Sequence, residues 1–235
     1  MEKPFEQMYI KFACAYARGM AIKGKFDLPA SLIQKNLDDL TEEENREIIT
    51  AGKAAGLKFY YFKKTHDDMP RVTRVLGFLR SIDMENLLDV GSGRGVFLWP
   101  CMNMFPHLCA TGIDLLPHRV ELLDTVRQGG VRTLSAKQGD IRGPSLPDKS
   151  FDVVAMLEVL EHIPDVFAAI CSAVRIAKKY IVVTVPSNQD DNPEHIRLLT
   201  KKILTELFEK AGCARLHFDG VAGHLMMIAV LNDAP

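Results

Sequence analysis

From residue 86 onward, short apolar runs alternate with segments of helical periodicity, and this alternation restricts the fold more than any other feature of the sequence. Strands buried on both faces of a sheet appear as continuous apolar runs, and parallel strands need crossover helices between them. Five such strands are predicted, at residues 87–90, 109–113, 133–137, 151–156 and 180–185. Two further strands, at 214–219 and 224–231, are too close in sequence for a crossover. The pattern therefore predicts an α/β fold with a seven-stranded sheet, mostly parallel, that finishes antiparallel.

The first 80 residues have a different, helical character. Thr41 and Glu44 form the pattern of a capping box, in which each side chain accepts a hydrogen bond from a backbone amide at the helix start. Pro70 suits the first position of a second helix, whose apolar residues are spaced to share one face. We therefore expect an N-terminal helical region over residues 1–80, followed by the sheet domain over residues 81–235.

Composition excludes several classes of protein. The 235 residues include 29 Lys and Arg against 30 Asp and Glu, so no overall positive charge attracts the chain to nucleic acid or an anionic membrane. No apolar stretch approaches the ~20 residues that cross a bilayer. Five scattered cysteines without a CxxC pair fit thiols in a reducing compartment, and we expect a cytoplasmic protein without membrane partners.

A glycine-rich turn follows the first predicted strand, at the edge where open α/β sheets bind their ligands. Its glycines are Gly91, Gly93 and Gly95, while Val96 occupies the place of the third glycine in a dinucleotide-binding turn. A nicotinamide or flavin cofactor is therefore disfavoured. The helix behind the turn is expected to open at Arg94 and to be short or kinked, because Pro100 falls inside it.

This segment, residues 87–95, resembles the first motif of the class I S-adenosylmethionine-dependent methyltransferases. The likeness continues in the family's order through residues 111–115, 138–141, 150–162 and 180–186, and it covers residues 80–231. It implies a Rossmann-like seven-stranded methyltransferase sheet with S-adenosylmethionine as the cofactor. The resemblance implies that the methionine end of the cofactor contacts Asp89, Gly91, Ser92, Gly93 and Gly95. It implies that Asp114, with Leu115 beside it, binds the ribose, and that Asp140 and Ile141 contact the adenine. It also implies a further cofactor contact for Leu157.

A second group of polar residues follows the fourth predicted strand. Glu158, Glu161 and His162 stand at i, i+3 and i+4 and share one face if the segment is helical, and His195 lies in the loop after the fifth strand. Two carboxylates and two imidazoles can hold Mg²⁺ or Mn²⁺, with zinc as an alternative. The arrangement resembles the metal-dependent O-methyltransferases that act on catechol-like quinone precursors or on the terminal 2′-hydroxyl of small RNAs.

A metal-free interpretation of this group stays open. In it, the Glu161 and His162 pair caps a helix or shapes the substrate wall, and His162 or His195 acts as the general base. With or without a metal, Glu161, His162 and His195 are the predicted catalytic residues. The remaining histidines, among them His217 and His224, are assigned to surface or packing positions.

The favoured function is methyl transfer to an oxygen, or less favourably a nitrogen, of a small molecule. The N-terminal helices would cover the pocket and select the acceptor, because water must be excluded from the reacting atoms. An RNA 2′-O-methyltransferase is the first alternative, and the near-neutral charge disfavours it. The second is a non-catalytic, cofactor-binding regulatory protein, which the intact motifs disfavour.

Overall fold

The structure is a computed structural model that describes residues 7–64, 69–143, 146–189 and 191–231. Its α-helices are α1 (Ile10–Ile22), α2 (Ala30–Gln34), α3 (Glu42–Ala54), α4 (Pro70–Leu79), α5 (Leu98–Met104), α6 (Pro117–Gln128), α7 (Val166–Ile176) and α8 (Lys201–Lys210). Short 3-10 helices cover Leu37–Asp39, Tyr60–Phe62 and Leu160–His162. Its strands are β1 (Asn86–Val90), β2 (Cys109–Asp114), β3 (Leu134–Gln138), β4 (Phe151–Leu157), β5 (Ala177–Pro186), β6 (Arg215–Val221) and β7 (His224–Val230).

The seven strands found in these ranges form one sheet in the order β3-β2-β1-β4-β5-β7-β6. Strands β1 to β5 pair in parallel, whereas β7 lies antiparallel to both β5 and β6. The predicted mostly parallel sheet with an antiparallel final strand is therefore confirmed. The strand order reverses between β1 and β4, so the carboxyl ends of these two strands flank the crevice in which open α/β sheets bind ligands.

Helices cover both faces of the sheet. On one face, Ile170 of α7 and Phe208 of α8 are fully buried against the strands. On the other face, α4, α5 and α6 form the covering layer, with Val75 and Leu123 fully buried. This two-sided burial explains why most residues of β1 and β4 are apolar. Within the described ranges, no helix is long and apolar enough to span a bilayer.

Helix α1 lies next to α6 and runs antiparallel to it at very short range. A Cβ atom at Gly19 would lie 2.0 Å from the carbonyl oxygen of Thr125. A second close contact lies one helical turn away, where a Cβ atom at Gly129, just after α6, would lie 1.7 Å from the carbonyl oxygen of Ala15 in α1. The two backbones therefore touch at positions where only glycine fits.

Aromatic side chains join the N-terminal helices to the sheet domain. The ring of Trp99 in α5 lies 5.2 Å from that of Phe12 and 5.4 Å from that of Phe62, measured between ring centroids. All three side chains are buried in one hydrophobic cluster. The N-terminal helices thus extend the helical layer on this face of the sheet, and the division near residue 80 stays a prediction.

The helix behind the glycine turn differs from the expectation. It begins at Leu98 and not at Arg94, because residues 91–97 form turns. Pro100 is then the third residue of the helix, in the first turn, where a backbone amide needs no partner within the helix. The helix is short, with 7 residues, but Pro100 does not interrupt its hydrogen bonding.

Substituting Gly19 by alanine is expected to lower the free energy of unfolding by about 1–3 kcal/mol, because the added methyl group forces α1 away from Thr125. Gly77→Ala is the matched control: it lies in α4, and an added Cβ there meets nothing within 4 Å. Helix propensity predicts a gain of about 1 kcal/mol at that site. Urea denaturation of both variants measures the change in the free energy of unfolding, which should be a loss for Gly19→Ala and a gain for Gly77→Ala. A Gly19→Ala protein as stable as the wild type would contradict the close approach of α1 and α6.

Candidate active site

The glycine-rich turn after β1 adopts a backbone conformation that favours glycine at each of its three glycines. The φ angles of Gly91, Gly93 and Gly95 are 66°, 54° and 80°. A Cβ at Gly95 would lie 2.2 Å from the indole of Trp99, whose Nε1 donates a hydrogen bond of 2.8 Å to the Arg94 carbonyl. A Cβ at Gly93 would have no neighbour closer than 3.7 Å, so this part of the turn leaves open space.

The turn forms one wall of a cleft of about 270 Å³ at the carboxyl ends of β1 and β4. The cleft is lined by predicted residues, among them Asp89, Gly91, Ser92, Gly93 and Leu157. It is also lined by Arg71 of α4 and Arg119 of α6, which sequence reasoning did not identify. The spacing of apolar residues in α4 predicts which face of the helix is buried, but it does not indicate that Arg71 borders the cleft.

Asp89 is the buried carboxyl group of the cleft and is 3% exposed. Burial raises the pKa of Asp89 to about 7, the nearby Ser92 hydroxyl opposes the rise, and the charge of Asp114 adds to it. The Ser92 hydroxyl donates a hydrogen bond of 2.8 Å to the main-chain carbonyl of Asp89. A buried acid that titrates near neutral pH in a cleft is a common property of functional sites.

Asp114 ends β2 and is held by two backbone amides. Its Oδ2 accepts a hydrogen bond of 2.8 Å from Gly93, and its Oδ1 accepts one of 2.9 Å from Leu116. Each carboxylate oxygen can accept a further hydrogen bond, so Asp114 can still receive the hydroxyls of a diol. Leu115, beside it, is 61% exposed and offers an apolar surface.

Asp140 follows β3 and forms an ion pair with Arg142. The Oδ2 atom of Asp140 lies 2.5 Å from Nη2 of Arg142, and this side-chain contact is the main cause of a lowered pKa for the carboxyl. Ile141 is 2% exposed and packs in the core. The adenine contacts expected for Asp140 and Ile141 stay predictions.

Three of the four predicted metal-binding residues lie together. One ligand atom from each of Glu161, His162 and His195 lies within 4.8 Å of the others, and Glu161 is 1% exposed. His162 Nδ1 lies 2.9 Å from the Glu194 carbonyl, so a proton on Nδ1 satisfies this contact and leaves the lone pair on Nε2. The Ile196 amide donates to the Glu161 carbonyl at 3.1 Å, which fixes the loop carrying His195. Asp190, in the same loop, lies outside the described residues.

Glu158 is not part of this group, so the expectation of one helical face for Glu158, Glu161 and His162 is wrong. Glu158 has a φ angle of 57°, and only Leu160–His162 form a 3-10 helix. The Glu158 carboxylate instead lies 3.0 Å from Nε2 of His224 and 3.0 Å from the hydroxyl of Thr184, and it borders the cleft. His224 was assigned to surface or packing, because its partner is brought near only by the pairing of β7 with β5.

Comparisons with known proteins agree with this geometry. A family model of the methyltransferase domain matches residues 60–217. A ubiquinone biosynthesis O-methyltransferase from Paramagnetospirillum magneticum is 37% identical over 95 residues, which cover 38% of this chain and 35% of that protein. An aklanonic acid methyltransferase from a Streptomyces strain is 29% identical over 103 residues, which cover 43% of this chain and 47% of that protein. The match thus spans less than half the length of these curated relatives.

The fold has close counterparts among solved structures. A SAM-dependent methyltransferase from Aquifex aeolicus superposes with a TM-score of 0.60 and 18% sequence identity, over 71% of this chain and 92% of that one. At this identity the likeness is one of fold. The family model covers more than half of the chain and includes the glycine turn, the acid at the end of β2 and the segment after β4. The chain therefore belongs to the class I S-adenosylmethionine-dependent methyltransferase family.

Proposed function

We propose that this chain transfers a methyl group from S-adenosylmethionine to an oxygen atom of a small molecule, with the help of a divalent cation. The observation that carries the proposal is the group formed by Glu161, His162 and His195. Glu161 stands three residues after Glu158, which lines the cleft. The name of the O-methyltransferase that is 37% identical over 95 residues supports oxygen as the acceptor atom.

The residues of the cleft fit the cofactor. In the proposed arrangement, Asp114 accepts hydrogen bonds from the ribose hydroxyls, and Asp89 and the glycine turn hold the methionine end. Arg71 supplies a cation for the methionine carboxylate. The open space beside Gly93 lets the backbone approach the ligand closely. When bound, S-adenosylmethionine supplies an electrophilic methyl group, and the chain contributes mainly by positioning the reacting groups.

Glu161 and His162 after β4 and His195 after β5 fit a divalent cation with three protein ligands. The donor set is one carboxylate and two imidazoles, in place of the two carboxylates and two imidazoles predicted from the sequence. Imidazole donors favour Mn²⁺ or Zn²⁺ over Mg²⁺, which prefers oxygen. A cation held there would lower the pKa of an acceptor hydroxyl and orient it. In a metal-free site, His162 or His195 would remove the proton instead.

The N-terminal helices border a second space, which shares one lining residue with the cofactor cleft. A groove of about 190 Å³ lies between α1 and α6 and is lined by Tyr16, Met20 and Tyr61 on one side and by Arg119 on the other. Arg119 also lines the cofactor cleft. This shared wall supports a role for the N-terminal region in selecting the acceptor.

Transfer of labelled methyl from S-adenosylmethionine tests the proposed function. A cell extract is divided into small-molecule and RNA fractions, and each is incubated with the protein with and without a chelator. We expect label in the small-molecule fraction and its loss after chelation. Label in RNA would support the 2′-O-methyltransferase alternative, label that survives chelation would support the metal-free site, and bound cofactor without any product would support a regulatory protein.

A further inference from the structure

Glu158 adopts a backbone conformation that is unfavourable for its residue type. Its φ angle of 57° lies in the left-handed region, which costs a non-glycine residue on the order of 1–2 kcal/mol. Residues in such conformations persist where their surroundings hold them, and they concentrate at active sites and ligand clamps. The contacts of Glu158 explain why it stays in this conformation.

Two neighbouring strands hold Glu158 at three points. Its backbone amide donates a hydrogen bond of 2.9 Å to the Thr184 carbonyl of β5, and its Oε1 accepts one of 3.0 Å from the Thr184 hydroxyl. Its Oε2 lies 3.0 Å from Nε2 of His224, the first residue of β7. The other ring nitrogen of His224 lies 3.1 Å from the Ala222 carbonyl, which fixes the ring against its own hairpin.

These contacts keep the Glu158 carboxylate in the cofactor cleft and away from the Glu161 group. Turning Glu158 toward Glu161 would break its contacts with both Thr184 and His224. The side chain is 21% exposed and shares the cleft wall with Asp89 and Arg71. A carboxylate has about four acceptor positions, so two contacts leave it able to accept from a cationic donor in the cleft.

The methionine end of the cofactor carries such a donor. Its ammonium group has three N–H donors and its carboxylate has none, so a complementary site needs acceptors on one side and a cation on the other. Asp89 and Glu158 are acidic, and Arg71 is basic. The two carboxylates together offer acceptors to more than one of the ammonium hydrogens.

We propose that Glu158 receives the ammonium group of the cofactor's methionine end, and that His224 is the positioning residue that holds Glu158 there. This inference rests on the proposed function in one respect, namely that the cleft binds S-adenosylmethionine. It gives Glu158 a role different from metal binding and gives the β6–β7 hairpin a part in the cofactor site.

Calorimetric binding of two adenosine ligands tests the proposal without any methyl acceptor. S-Adenosylhomocysteine carries the amino-acid end, and 5′-methylthioadenosine lacks it. We expect Glu158→Gln to weaken binding of S-adenosylhomocysteine by about tenfold or more, as for the loss of a charge-assisted hydrogen bond, and to leave binding of 5′-methylthioadenosine within about twofold. His224→Ala is expected to show the same selectivity with a smaller loss.

Two further variants separate positioning from general damage. His224→Gln keeps an N–H donor for Glu158 and is expected to restore most of the lost affinity. His217→Ala, on the exposed side of β6, is the matched control and is expected to bind both ligands like the wild type. Equal losses for both ligands, or no loss in Glu158→Gln, would overturn the proposal. Failure of the wild-type protein to bind S-adenosylhomocysteine would instead refute the cofactor assignment, and the proposal with it.

Discussion

Replacing Glu161 by glutamine is expected to reduce methyl transfer by about 100-fold or more, while the affinity for S-adenosylhomocysteine stays within about twofold. Glutamine has nearly the same shape as glutamate but carries no charge. Glu161 is 1% exposed and lies with His162 and His195, so its charge acts directly on whatever these imidazoles bind. The loss should therefore appear in turnover and not in cofactor binding.

A direct metal titration completes this test. We expect wild-type protein to bind one Mn²⁺ or Zn²⁺ with an affinity that Glu161→Gln and His162→Ala both reduce strongly. Glu209→Gln, an exposed carboxylate at the end of α8, is the matched control and should change neither metal binding nor turnover. Full activity in both Glu161→Gln and His162→Ala would contradict the metal and general-base interpretations together.

Cofactor affinity is expected to rise by up to tenfold per pH unit as the pH increases toward 7, and to level off above it. Burial raises the pKa of Asp89 from 3.8 to about 7, so the carboxyl of the unliganded protein is protonated below that pH. An ammonium group nearby favours the charged carboxylate, and binding below pH 7 must therefore release a proton. The released proton makes affinity increase with pH.

Titration of S-adenosylhomocysteine by calorimetry between pH 5.5 and 8 measures this dependence. Repeating the titration in two buffers of different ionisation enthalpy counts the released protons directly. Asp89→Asn is expected to bind more weakly and with little dependence on pH over this range. A wild-type affinity that is flat across the range, with no proton released, would show that Asp89 does not face the cofactor's charge.

The raised pKa of Asp89 also determines how its contribution to the free energy of unfolding changes with pH. Because the folded-state pKa of Asp89 lies above its unfolded value, the folded protein binds more protons between about pH 4 and pH 7. The contribution of Asp89 to the free energy of unfolding is then fully present at low pH and falls as the pH rises through this window. The total loss is at most roughly 4 kcal/mol, from about three pKa units.

The parts of the fold that were predicted from the sequence depend on local signals. Thr41 and Glu44 form the expected capping box, and Thr200 accepts a hydrogen bond from the Ile203 amide at the start of α8. Strands β4 and β5 were recognisable because burial on both faces gives each of them a largely apolar run. The start of α5 was missed because Pro100 is compatible both with the first turn of a helix and with the interior of a kinked helix. Which of the two applies depends on where the glycine turn ends.

The site was predictable only where its residues follow the family's motifs in sequence. Asp89, Asp114 and the glycines lie at the carboxyl ends of β1 and β2, as the motif order implied. The turn at Glu158 was missed, since helical spacing alone does not reveal a left-handed residue. Arg71 was missed because its place in the cleft wall depends on how α4 packs on the sheet. His224 was missed because its contact with Glu158 depends on the pairing of β7 with β5.

Strand β7 is synthesised after β6 but lies between β6 and the rest of the sheet. During translation, β6 therefore has no strand to pair with until residues 224–230 leave the ribosome, and β5 presents an unpaired edge in the meantime. Unpaired edges of this kind promote association between nascent chains. His224, which contacts Glu158, belongs to the same late segment. A stalled or shortened product that lacks β7 would thus have an open sheet edge and a Glu158 carboxylate without its contact to His224.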